Sequence, residues 1–60
     1  EIDRVIKEVI AENAPAVEDY KNGKKEALNF LVGQVMKKTR GRIDPKRAYE
    51  AIKELIAAGA

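Results

Sequence analysis

Cysteine, histidine and tryptophan are all absent from this chain of 60 residues. Without cysteine, the chain has neither a disulfide nor a thiolate that could bind a metal. Without histidine, it lacks the commonest general acid–base group and the commonest metal ligand, so we expect no catalysis, metal or cofactor in this piece. No apolar run approaches the roughly 20 residues that a membrane span needs, and we therefore expect no membrane partner.

The length is that of one small domain, and we interpret residues 1–60 as a single helical subdomain. The chain begins with Glu1 and not with methionine, which we interpret as the sign of a piece cut from a longer protein. Nothing at its start resembles a signal peptide, and we expect a cytoplasmic location.

Charge is distributed unevenly along the chain. Residues 1–20 hold six acidic and two basic residues (net −4), residues 21–47 hold two acidic and nine basic residues (net +7), and residues 48–60 have a net charge of −1, which together give +2. A basic segment of this size in a small domain indicates a polyanionic partner. The alternative is a solvated face whose lysines keep the domain soluble.

Helical periodicity begins at once. Residues 2–12 carry apolar side chains at intervals of three and four, which predicts an amphipathic helix packed on a core. Pro15 favours the start of a second, short helix over residues 16–22, with Val17 and Tyr20 facing the core together. Gly23 can adopt the left-handed conformation that ends such a helix.

The longest helix is predicted over residues 24–39, with Gly41 as its C-terminal cap. Asp44 is a favourable N-cap residue and Pro45 suits a first helical position, so a last helix should run from there to about Ala58. We expect the core face of this last helix to consist of Ala48, Tyr49, Ile52, Leu55 and Ile56. The sequence thus predicts an all-α fold, a small three-helix bundle with an extra short helix.

The long helix carries apolar residues on two sides, which indicates a central helix. Phe30 and Gly33 lie away from its core face, close in angle to Gln34 and Lys37. We expect Phe30 to pack against the short helix. Gly33 costs roughly 1 kcal/mol relative to alanine in a helix, which indicates close approach by either a neighbouring helix or a nucleic-acid backbone. Lysine and arginine bind phosphates, and glycine lets backbone N–H groups approach them.

These residues also carry a resemblance. The segment from Val17 to Pro45, and above all FLVGQVMK from Phe30 to Lys37, closely resembles the C-terminal tail of the B subunit of the aspartyl/glutamyl-tRNA amidotransferase. The resemblance implies an all-helical module that holds tRNA and forms the end of this B subunit. The implied candidates for RNA contact, including the neighbouring basic residues, are Gly23, Lys24, Gly33, Gln34, Lys37, Lys38, Thr39, Arg40, Gly41 and Arg42.

The same resemblance implies that the parent converts Glu-tRNA(Gln) or Asp-tRNA(Asn) into the amide form, using ATP, magnesium and glutamine bound elsewhere. The implied partners are tRNA, the remaining domains of the B subunit and the other amidotransferase subunits. The rival hypothesis is a structural or protein-docking domain without RNA contact. A DNA-binding helix-turn-helix is a third interpretation, but the helix after Asp44 lacks a polar base-reading face at its start, so we expect no DNA partner.

Overall fold

The computed structural model describes residues 2–59, without the side chain of Ile2. Within that range the chain forms helices and no strand. The helices are α1 (Ile2–Glu12), α2 (Ala14–Lys21), α3 (Lys25–Thr39) and α4 (Pro45–Ala57). The predicted all-α bundle with one shorter helix is therefore confirmed. The predicted core role of Ile2 falls on a side chain outside the described part of the chain.

Helix α3 is the centre of the bundle, because its packing against the other three helices is more extensive than that of any other helix. Its side chains Leu28, Leu31 and Val35 are buried. The spacing of three and four places these residues on one side of the helix. The core that they share with the other helices is entirely aliphatic, and it consists of Ile6, Val9, Ile10, Val17, Leu28, Leu31, Val35, Ile43, Ala48, Ile52 and Ile56.

Two aromatic residues are more exposed than the sequence predicts. Tyr49 was expected on the core face of α4, but 39% of its surface is exposed. It lies about 100° around the helix from Ala48, at the margin of the buried stripe, where the phenol hydroxyl keeps access to water. Phe30, which was expected to pack against the short helix, lines an open groove together with Pro15 and Ala16 of α2 and is 48% exposed.

The turn between α3 and α4 also departs from the prediction in one respect. Arg40 precedes Gly41 in the left-handed region, with φ of 56° against 77° for the glycine. The Arg40 N–H donates to the carbonyl of Lys37 at 3.2 Å, and the Gly41 N–H donates to the carbonyl of Met36 at 2.9 Å. This pair of bonds is a Schellman motif, whose left-handed position usually holds glycine. Arg40 therefore takes the capping position that was predicted for Gly41.

The start of α4 agrees with the prediction. Asp44 is the N-cap, and its carboxylate accepts a hydrogen bond from the Lys46 N–H at 3.1 Å. Pro45 occupies the first position of the helix, where its missing N–H costs nothing. Ile43, just before the cap, is buried and ties the turn to the core. None of the helices formed by residues 2–59 is long and apolar enough to span a lipid bilayer.

Candidate nucleic-acid interface

The outer side of α3 forms an exposed stripe along the bundle. Glu26, Phe30, Gly33 and Lys37 follow one another at intervals of four, three and four, and all are exposed. Apart from its chain neighbours and the backbone of its own helix, a Cβ atom built on Gly33 would find no heavy atom within 4 Å. Two explanations were offered for this glycine, a neighbouring helix or a nucleic-acid backbone. Within residues 2–59, no neighbouring helix approaches it. The position remains open to a molecule outside this part of the chain.

Several predicted site residues lie together where α3 ends. Lys37, Arg40, Gly41 and Arg42 are exposed, whereas Gln34 is half-buried. Because the turn reverses the chain here, three cationic side chains project from a short length of backbone. This cluster is called the C-terminal cationic end of α3, and it consists of Lys37, Arg40 and Arg42.

Two other predicted site residues already have partners inside the domain. The Lys38 Nζ lies 3.2 Å from the carboxylate of Glu12 and 3.8 Å from that of Glu8. Thr39 Oγ1 donates to the carbonyl oxygen of Val35 at 2.9 Å, one turn earlier in the same helix. Lys38 is thus directed toward α1, because it is rotated by about 100° from Lys37 around the helix axis.

The remaining predicted residues, Gly23 and Lys24, lie at the opposite end of α3. A helix of this length separates them from the C-terminal cationic end by about 21 Å. Gly23 has φ of 105°, which a side chain would strain, and it allows the tight connection between α2 and α3. The structure therefore places predicted site residues at both ends of α3, with Gly33 and Gln34 between them.

A groove near Gly23 was missed by the sequence analysis. It has a volume of about 390 Å³ and lies among α2, α3 and α4. We call it the lysine–tyrosine groove, and its lining consists of Tyr20, Lys21, Gly23, Lys25, Leu28, Tyr49 and Lys53. The Nζ of Lys53 lies 5.5 Å from the centroid of the Tyr49 ring, a cation–π geometry.

The lining of this groove contains three lysines and no carboxylate. None of these lysines forms an ion pair with another residue in the described range. Their charge is therefore available to an anionic ligand, and the tyrosines add aromatic surface beside it. The spacing of Tyr49 and Lys53, which are four residues apart on α4, is a sequence signal that could have indicated this face.

No group of three or more aspartate, glutamate, histidine or cysteine residues that could hold a metal ion occurs within residues 2–59. The fold and the site together define a small all-α domain with exposed cationic surfaces at both ends of its central helix. The sequence profile described as "GatB domain" matches residues 1–56 of the chain. The chain belongs to the GatB domain family.

Its relatives are each named as the B subunit of an aspartyl/glutamyl-tRNA(Asn/Gln) amidotransferase. The chain is 65% identical over 53 residues to the protein of Methanocaldococcus jannaschii, covering 88% of this chain and 11% of the relative. It is 53% identical over 57 residues to that of Carboxydothermus hydrogenoformans, covering 95% and 12%. For Methanoregula boonei the identity is 75% over 40 residues, covering 67% and 8%. The chain thus spans about a tenth of these relatives, and no solved structure matches it.

Proposed function

We propose that this domain is the tRNA-binding tail module of the B subunit in a tRNA-dependent amidotransferase. The enzyme and its tRNA substrates in this proposal come from the name that the relatives share. These relatives are roughly nine times longer than the matched segment. In this proposal the domain forms the C-terminal end of the subunit and grips the tRNA body through phosphate and shape. The amidation of Glu-tRNA(Gln) or Asp-tRNA(Asn), with ATP, magnesium and glutamine, belongs to other parts of a cytoplasmic complex.

The observation that carries the proposal is the lysine–tyrosine groove. Three lysines lie there beside two tyrosines, and among the described residues none of these lysines has an ion-pair partner and no carboxylate lines the groove. Lysines bind phosphates of any sequence, and an aromatic ring offers a stacking surface to an unpaired base. RNA helices present little readable sequence to side chains, so contacts of this kind suit recognition by shape.

The C-terminal cationic end of α3 supports the same function. It offers Lys37, Arg40 and Arg42 in exposed positions about 21 Å along the helix axis from the groove. Two cationic regions held at a fixed separation by one rigid helix can contact phosphates at separate points on a folded RNA. A charge-matched but shapeless polyanion such as heparin should therefore bind more weakly than tRNA.

The test measures the affinity of the full-length subunit complex for unacylated tRNA(Gln) over a range of salt concentrations. Lys21→Gln and Lys53→Gln should each weaken binding several-fold and lower the slope of log K against log salt by about one, as expected for loss of one phosphate contact. Lys7→Gln, at an exposed position of α1, removes the same charge away from the groove and serves as the matched control.

Two results would contradict the proposal. One is an unchanged affinity and salt slope in both groove variants, and the other is equal affinity for tRNA and heparin. Either result would favour the structural or protein-docking function. The melting temperature of Lys21→Gln should equal that of the Lys7→Gln control, because both side chains are exposed. Lys53→Gln also removes the cation–π contact with Tyr49, and its melting temperature should therefore be slightly lower.

A further inference from the structure

A second groove lies on the side of α3 that faces α2, and it differs chemically from the first. It has a volume of about 490 Å³, and its apolar surface comes from Pro15, Ala16, Ala27 and Phe30. We call it the Phe30 groove. Phe30 has the largest exposed fraction, 48%, among the large apolar side chains of residues 3–59. A phenylalanine left half in water beside an apolar groove is a common feature of binding surfaces.

The rim of the Phe30 groove is acidic. Glu12, Asp19 and Glu26 contribute carboxylates to its lining, against Lys24 as the one basic residue. Glu12 is already paired with Lys38, but no ion pair within residues 3–59 involves Asp19 or Glu26. The groove therefore combines apolar surface with two carboxylates that are free to meet a cation. Such a lining disfavours a phosphate backbone and favours a basic, amphipathic partner.

We propose that the Phe30 groove docks a basic amphipathic helix from the remaining polypeptide of the same subunit. A helix satisfies its own backbone hydrogen bonds, and this groove between two helices offers only side chains to a partner. We place this helix in the same polypeptide because the proposed function makes the domain one module of a much longer subunit, and the inference rests on that part of the proposed function. The relatives contain about nine-tenths of their length outside the matched segment, and a tethered segment has a high effective concentration.

This docking and the proposed RNA contact use opposite chemistry on separate sides of α3. The lysine–tyrosine groove carries only basic charge, whereas the free charges of the Phe30 groove are mainly acidic. Both can thus be occupied at once. In this arrangement the domain is anchored to its own subunit through one groove and presents the other groove to tRNA.

The experiment places the photo-crosslinking residue p-benzoylphenylalanine at position 30 or position 49 of the full-length subunit. Each protein is irradiated in its complex with unacylated tRNA(Gln), and the products are identified by mass spectrometry. We expect position 30 to crosslink within the same polypeptide, to a peptide rich in lysine or arginine. Position 49 is the matched control, since Tyr49 is an exposed aromatic residue in the other groove, and its expected product is crosslinked tRNA.

Charge variants then test the acidic rim. Asp19→Lys and Glu26→Lys should lower the yield of the position-30 crosslink at least threefold, whereas Glu54→Lys, an exposed reversal on α4, should leave it unchanged. Circular dichroism of each protein confirms that the variants are folded.

The inference is overturned if position 30 crosslinks to tRNA, to another subunit or to nothing. It is also overturned if Asp19→Lys and Glu26→Lys leave the yield of the position-30 crosslink unchanged. Failure of the proposed function has a different signature. In that case position 49 yields no RNA adduct, and Lys53→Gln binds tRNA as well as the unaltered protein, while the intrachain crosslink from position 30 persists.

Discussion

Replacing Gly33 by alanine should stabilise the domain. The residue lies in the interior of α3, and a Cβ atom added there would have no heavy atom within 4 Å apart from its chain neighbours and the backbone of its own helix. The substitution therefore introduces no clash and removes the excess backbone freedom of glycine in the unfolded chain. Helix propensity gives an expected gain of about 1 kcal/mol in the free energy of unfolding. For a domain of this size, such a gain raises the melting temperature by about 4–8 °C.

Urea unfolding of the 60-residue chain, followed by far-ultraviolet circular dichroism, measures this gain. Asn29→Ala is the matched control, because Asn29 is an exposed residue of the same helix and should gain only about half as much. An unchanged or lowered stability for Gly33→Ala would refute the argument, since it would mean that the methyl group meets an obstacle that the structure does not contain.

The Gly33→Ala variant also tests whether Gly33 is needed for close approach of tRNA. If tRNA approaches the α3 backbone closely at Gly33, the stabilised Gly33→Ala protein should bind tRNA more weakly than the unaltered protein. Asn29→Ala should retain full affinity. Stability and affinity would then change in opposite directions, which loss of folding cannot produce. Equal affinity in all three proteins would show that tRNA does not approach this surface closely.

Arg40→Gly should raise the free energy of unfolding by about 1 kcal/mol, because relief of the left-handed strain exceeds the added freedom of the unfolded chain. Thermal unfolding measures the gain, and Arg40→Ala, which keeps the strain, should show none; a comparable gain in the alanine variant would contradict this reasoning. Asp44→Ala should lower the free energy of unfolding by about 1 kcal/mol through loss of the hydrogen bond to the Lys46 N–H. Asp44→Asn should retain most of that stability in urea unfolding, and an equal loss in both variants would argue against the cap.

The helices were predictable because their signals are local. The apolar spacing of residues 2–12 and the Asp44-Pro45 pair each specify a helix or its boundary without reference to the rest of the chain. The cap of α3 was not predictable in the same way, because Arg40 and Gly41 are neighbours and either could have taken the capping position. Ile43, which follows in the same turn, is buried in the core, so the path of the turn also depends on contacts that no local pattern shows.

The candidate site was less accessible to sequence reasoning, because packing of distant segments creates it. The lysine–tyrosine groove joins residues 20–25 to Tyr49 and Lys53, and no local pattern shows that these segments meet. The same limit applies to Lys38. Next to Lys37 in the sequence, it looks like part of one basic cluster, but only the position of α1 reveals that Glu12 is its partner.

The composition of the core determines which optical signals the domain can give. Its buried side chains are aliphatic, whereas Tyr20 and Tyr49 line the lysine–tyrosine groove and the chain contains no tryptophan. Intrinsic tyrosine fluorescence therefore originates from two residues that line a candidate binding surface, of which Tyr20 also packs against the core. Helix content and groove occupancy can consequently be followed in one sample, the first by far-ultraviolet dichroism and the second by tyrosine emission.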